Sequence, residues 1–173
     1  MTSFTRIVVS TLAAGLFALA AVPPAGAADT LAPGQPFPSL ASVPLEGELP
    51  DLAGARVLIV DFWASWCAPC KASFPVYDEL QKEFGAKGVR IIAVNVDKNA
   101  RHMAAFLEKQ PVSFAVVRDA EMKLVSQARV PTMPTSFVVD AKGVVRFVHS
   151  GFHGKETLRQ YRDEIAQLLG EAP

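Results

Sequence analysis

Cysteine is scarce in this chain: two in 173 residues, both within the run Cys67-Ala68-Pro69-Cys70. A fold stapled by disulfides needs more cysteines spread along the chain, so that class is excluded. Closing so short a loop removes little entropy from the unfolded chain, which leaves reactivity as the better reason for the pair. Charge of one sign is lacking too, with 17 basic and 17 acidic residues and no block of like charge. A phosphate-tracking surface needs a basic excess, so nucleic acid is not an expected partner. Internal repeats and low-complexity tracts are absent. Half the residues are apolar, enough for one domain with a core of its own.

One apolar run, Ile7 to Val22, is broken only by small residues; Arg6 precedes it and Ala25-Gly26-Ala27 follows. This pattern reads as a secretory signal peptide over residues 1–27, cut after Ala27 to leave residues 28–173 as the mature domain. The run falls short of the roughly 20 residues of a membrane span, and a retained anchor is the alternative to cleavage. No twin arginine and no cysteine lie near the cut, which argues against a folded-export signal and a lipoprotein anchor. Loss of residues 1–27 removes Arg6 and no acid, leaving 16 basic against 17 acidic residues.

Residues 28–50 are rich in Pro, Gly and Ala and read as a linker followed by an extended or hairpin segment, Gln35 to Leu49. Val57-Leu58-Ile59-Val60 is a continuous apolar run of strand length, as in a strand buried on both faces. From Ala68 the positions Cys70, Phe74, Tyr77, Leu80 and Phe84 step by three and four, one face of a helix ending near Gly85 and kinked at Pro75. Further elements are expected as a strand over Val89–Val96, a helix over Asn99–Gln110, a short strand over Phe114–Val117 and a weak helix over Asp119–Ala128. Ser136–Val139 and Val144–His149 should pair as a hairpin through Asp140-Ala141-Lys142-Gly143. A last helix carries Leu158, Tyr161, Ile165 and Leu168 on one face. Strands that first alternate with helices and then close in a hairpin and helix imply an α/β fold, a mixed sheet covered on both faces.

The two cysteines stand between the buried strand and the amphipathic helix. A helix N-terminus presents free backbone N–H groups and partial positive charge, so it stabilises a thiolate near neutral pH. Cys67 is the nucleophile on this reading. Cys70, one turn deeper on the core side, is placed to resolve a mixed disulfide. Pro69 has no N–H to leave unpaired in a first helical turn, and it stiffens the loop.

Asp61-Phe62-Trp63-Ala64-Ser65-Trp66-Cys67-Ala68-Pro69-Cys70 resembles the active-site segment of the thioredoxin superfamily, and with the signal segment and extended N-terminus it is similar to the exported TlpA-like and ResA-like reductases. The resemblance covers residues 35–170 and implies a thioredoxin-like fold. It implies that Pro75 is the proline that kinks the active-site helix, and that Met133-Pro134-Thr135 is the cis-proline loop, with Met133 facing the sulfurs. It implies that Asp61 is a buried acid shuttling the proton of Cys70, its pKa raised by burial. A strand-end aspartate satisfied by backbone donors is the alternative for Asp61, and Ala93 stands where thioredoxins often place a lysine beside that acid. Trp66 is either packing or a substrate contact.

These readings converge on a periplasmic protein-disulfide reductase acting through Cys67 and Cys70, with no further cofactor and a monomeric state. The resemblance implies a membrane-borne dithiol electron donor and clients such as apocytochrome c or copper-site cysteines. Two alternatives remain: a dithiol oxidase on the same fold and a copper-binding metallochaperone, which would need another soft or imidazole ligand near the dithiol. A zinc site from Cys67, Cys70, His149 and His153 fits a C-x2-C and H-x3-H rule, but the intervening chain is far too long for a finger. His102 reads as a solvated helix residue, His149 and His153 as hairpin and cap residues.

Overall fold

The apolar run at Val57 becomes strand β1 (Val57–Trp63), at the centre of a five-stranded sheet, in a computed structural model that describes Met1 and residues 30–170. Apart from Met1, the expected signal segment and its cut after Ala27 lie outside the described residues. Helix α1 (Ala68–Phe84) leads to β2 (Val89–Asn95), and α2 (Ala100–Lys109) to β3 (Ala115–Arg118). The short helix α3 (Lys123–Gln127) precedes β4 (Thr135–Asp140), β5 (Val145–Ser150) and α4 (Lys155–Leu169). The sheet order is β3-β2-β1-β4-β5, with β1, β2 and β3 parallel and β4 antiparallel to both β1 and β5. The mixed sheet of the thioredoxin-like plan is thus the observed one.

Two successive right-handed crossovers stepping the same way across a sheet place their helices on one face. The aromatic contacts agree: Phe74 of α1 lies 4.6 Å from Trp63 and 5.0 Å from Phe106 of α2. Tyr161 brings α4 to the same face, 5.7 Å from Tyr77. On the opposite face Phe62 and Phe137 meet at 6.0 Å, and Phe37 of the N-terminal segment covers Phe137 at 5.3 Å. All five apolar positions expected on the inner face of α1 are buried, and α1 continues through Pro75.

Residues 35–49 take the extended alternative; they do not fold back as a hairpin. Pro36 bridges to Val144 and Glu46 to Arg118, so the segment straps the sheet from the β5 edge to the β3 edge, with a single 3-10 turn at Leu40–Ser42. Its own Leu40 and Val43 are buried. Covering an edge from outside satisfies backbone groups that a self-paired hairpin would leave exposed. The expected helix over Asp119–Ala128 shrinks to α3. The Asp119 carboxylate accepts the N–H groups of Lys123 and Val125, both at 2.9 Å, an alternative to extending the helix backwards.

Candidate active site

Strand β1 ends at Trp63, and the three residues Ala64 to Trp66 turn the chain into α1. Asp97, just beyond β2 and 2% exposed, holds that turn: its two carboxylate oxygens accept the Ser65 N–H at 3.3 and 3.1 Å. Asp97 is itself braced by Asn95, whose Nδ2 donates to Oδ2 at 2.9 Å. Arg118 forks onto Glu46 of the strap and donates through Nη1 to the Asp97 carbonyl at 3.0 Å, tying the strap to this corner.

Cys67 occupies the N-cap of α1 in extended conformation, and its sulfur accepts the Cys70 N–H at 3.3 Å. Oxygen N-caps use the same geometry to satisfy an orphan donor. The two cysteines form a disulfide across a Cα–Cα distance of 5.3 Å. They differ in access, with Cys67 6% exposed and Cys70 fully buried, while Trp66 beside them is 71% exposed. Pro69 lies in the first turn of the helix. Once reduced, a sulfur at this cap meets the helix N-terminus and a backbone donor, both of which favour thiolate.

Asp61 points to the α1 face of the sheet and is fully buried. Its Oδ1 accepts from the Tyr77 hydroxyl at 2.9 Å, while Oδ2 has no partner among the described residues. Burial pushes its pKa up to about 8, the Tyr77 hydrogen bond pulling the other way. The alternative of backbone donors for Asp61 does not hold, because its one hydrogen bond is to a side chain. Ala93 lies opposite Asp61 on β2, and Ser136 opposite it on β4.

The Met133–Pro134 peptide is cis, and the Pro134 carbonyl accepts the Gly151 N–H at 2.8 Å. Met133 lines an open pocket of about 360 Å³ with Trp66, Met122, His102 and Lys98. Met122 stands at the N-cap of α3 with a left-handed backbone (φ 56°) and is 45% exposed. The pocket therefore gathers two thioethers, an indole and an imidazole, and Trp66, which lines it, directly precedes Cys67 in the chain. His149 is elsewhere: its Nε2 lies 2.8 Å from Glu164 Oε2. His153 is not the cap expected of it: Gly154 holds the N-cap of α4, and His153, one residue before, donates its backbone N–H to Thr157 Oγ1. Cys67 and Cys70 are bonded to each other, so the spacing that suggested zinc joins residues with separate partners.

The sequence pattern missed Asp97, Arg118, Met122 and the roles of Tyr77 and Tyr161. Tyr77 and Tyr161 were legible only as apolar steps of helical faces. Asp97 carries no local signal, since its partner Ser65 lies 32 residues away.

The Redoxin family model matches residues 32–165. The thiol-disulfide oxidoreductase ResA of Bacillus cereus is 34% identical over 135 residues, 76% of this chain and 78% of that protein. The thioredoxin-like protein YneN of Bacillus subtilis is 32% identical, over 75% of this chain and 78% of its own length. Among solved structures, a putative thiol:disulfide interchange protein DsbE from Chlorobium tepidum superposes with a TM-score of 0.73 at 33% identity, covering 81% of this chain and 99% of that one.

Proposed function

Because this chain belongs to the Redoxin family and is a ResA-like thiol–disulfide oxidoreductase, we propose that it is an exported reductase of protein disulfides, with Cys67 as nucleophile and Cys70 as resolving thiol. The observation that carries the assignment is the asymmetry of the pair: Cys67 stands at the N-cap of the helix with 6% of its surface exposed, and Cys70 is fully buried one turn further on. In the reduced protein the Cys67 thiolate attacks a client disulfide. One Cys67–client S–S bond forms, and the other client sulfur leaves as thiolate. Cys70 then gives its proton to Asp61 and attacks Cys67 Sγ, which releases the reduced client and closes the Cys67–Cys70 disulfide. Two electrons have passed to the client, and a dithiol donor returns them. Trp66 and Met133 border the pocket where the client strand lies, the cis bond to Pro134 shapes the Met133 loop, and Pro69 stiffens the dithiol loop.

The mature domain is residues 28–173 and the compartment is the periplasm, on the strength of the signal-like residues 1–27; no helix among the described residues is long and apolar enough to cross a membrane. Clients carrying paired cysteines, such as apocytochrome c or copper-site proteins, and a membrane-borne dithiol donor fit this chemistry. Reduction of an insulin-type disulfide by the reduced protein tests the activity. Cys67→Ala should abolish it and Cys70→Ala should accumulate the mixed disulfide; turnover by Cys67→Ala would overturn the assignment.

A second reading, Cu(I) binding at the same site, is favoured by Met122, Met133 and His102 sharing one pocket with Trp66. Thioether, imidazole and thiolate are the donors that Cu(I) selects. Titration of the reduced protein with Cu(I) separates the readings: tight binding lost on Met122→Ala and His102→Ala would favour the carrier.

A further inference from the structure

Behind the dithiol the buried polar groups form one string. The Tyr77 hydroxyl donates to Asp61 Oδ1 at 2.9 Å, the Tyr77 and Tyr161 hydroxyl oxygens lie 3.1 Å apart, and Tyr161 is hydrogen-bonded in turn to Ser136 Oγ. All four side chains are at most 2% exposed. Each hydroxyl has a single proton. Tyr77 gives its own to Asp61, so toward Tyr161 its oxygen can only accept, and Tyr161 is the donor. The Tyr161 proton is then committed, and Ser136 must donate to Tyr161. Three hydroxyl dipoles therefore point in one direction and end on one carboxyl oxygen.

We propose that Tyr77 and Tyr161 are positioning residues for disulfide exchange: the aligned hydroxyls of Ser136, Tyr161 and Tyr77 stabilise ionised Asp61 and so set the pH at which it accepts the Cys70 proton. The inference rests on Asp61 being the base in the resolving step. A carboxylate buried this deeply is costly unless donors or a cation compensate it. Of the groups facing it, β2 offers Ala93, without charge, and β4 offers Ser136. From α1 come Cys70, Tyr77 and Ser73, whose hydroxyl is committed to the Cys70 carbonyl at 2.7 Å. From α4 come Tyr161 and Glu164, and from β5 His149, whose ring lies 4.6 Å from that of Tyr161 and whose charge, when protonated, is matched by Glu164. Among the described residues no cation pairs with the carboxylate, and its hydrogen-bond donor is the Tyr77 hydroxyl, so the compensation comes from hydroxyl dipoles, and hydrogen bonds in series polarise one another. Proton transfer is balanced: Cys70 becomes thiolate, and Oδ2, the oxygen without a donor, takes the proton while Oδ1 keeps Tyr77.

The test is a ¹³C-carboxyl NMR titration of Asp61 in the whole protein and in Tyr77→Phe, Tyr161→Phe and Ser136→Ala, alongside the pH dependence of mixed-disulfide resolution. Losing one hydrogen bond to a charged group should raise the proton affinity of Asp61 by about tenfold or more in Tyr77→Phe, and by successively less in Tyr161→Phe and Ser136→Ala. The midpoint of the resolution rate should move up with it. A purely structural role would lower the melting temperature and leave both midpoints in place, and that result in a folded Tyr77→Phe or Tyr161→Phe protein would overturn the proposal. If the carboxyl midpoint moves while the rate profile does not, the tyrosines do not act on exchange. An undiminished resolution rate in Asp61→Asn would then locate the failure in the assignment of Asp61 as base.

Discussion

Asp97 holds the backbone N–H of Ser65 with both carboxylate oxygens, at 3.3 and 3.1 Å, and so fixes the turn that presents Cys67. The contact joins the ends of two parallel strands, β1 and β2, above the sheet. Replacing Asp97 by Ala leaves the Ser65 N–H and the Asn95 amide without their acceptor. A buried donor left unsatisfied costs about 1–3 kcal/mol. The variant should melt several degrees lower, and its reduced form should exchange disulfides more slowly because the cap loses its register. Thermal unfolding and stopped-flow exchange measure the two effects; an unchanged exchange rate would confine Asp97 to stability.

Reactivity should be one-sided. In the reduced protein Cys67 combines the helix N-terminus with solvent access, whereas Cys70 has no exposed surface in the oxidised structure. Pulse alkylation followed by peptide mapping should label Cys67 first by at least about tenfold, since attack needs both thiolate and access. Equal labelling of the two thiols would remove the basis for their separate roles.

Asp61 should make the protein less stable as pH rises. Its folded pKa of about 8 lies above the unfolded value of 3.8, so between those limits the folded state binds the extra proton. Stability is therefore unaffected by this group below about pH 4, falls as pH rises toward 8, and levels off above it. Asp61→Asn removes the titration, while the Asn amide group that replaces Oδ2 lacks a partner at every pH. The variant should gain on the wild type by a few kcal/mol from pH 4 to pH 8. Parallel denaturant titrations at several pH values measure the difference, and a constant offset would mean that Asp61 ionises normally in the fold.

The central strand and the helix after it were legible because each obeys one local period: the run Val57 to Val60 and the steps Cys70, Phe74, Tyr77, Leu80, Phe84 need no knowledge of the rest of the chain. Cys67 and Cys70 were legible from their place between that strand and that helix, whereas the cis Met133–Pro134 loop came through resemblance, since no period or spacing brings residue 133 to residue 67. The strap over residues 35–49 was legible as extended but not in its path, because its partners Val144 and Arg118 lie on opposite edges of the sheet. Asp119 shortened a helix that periodicity allowed. The string from Ser136 to Asp61 was invisible for the same reason as Asp97: its members come from four elements, and a tyrosine on an apolar helix face gives no sign of where its hydroxyl ends.

The direction of exchange depends on how strongly the site favours the Cys67 thiolate, since a strong oxidant is one whose reduced form is greatly stabilised. Here the stabilising features are the N-terminus of α1 and the Cys70 N–H, 3.3 Å from the Cys67 sulfur. The intervening residues, Ala68 and Pro69, carry no ionisable group, and Pro69 has no N–H to add. Asp61, when ionised behind Cys70, adds negative charge and opposes a thiolate. Together these features stabilise the reduced form only modestly. The couple should then lie nearer to the roughly −270 mV of thioredoxin than to the roughly −120 mV of DsbA. Equilibration against glutathione and dithiothreitol buffers, with the reduced fraction read by alkylation and mass, gives the midpoint. At a reducing potential an oxidising compartment would hold the pair as a disulfide, so turnover needs a dedicated dithiol donor. A midpoint near the DsbA figure would instead make the protein an oxidase that accepts electrons from its clients, with Cys67 still attacked first from the exposed side.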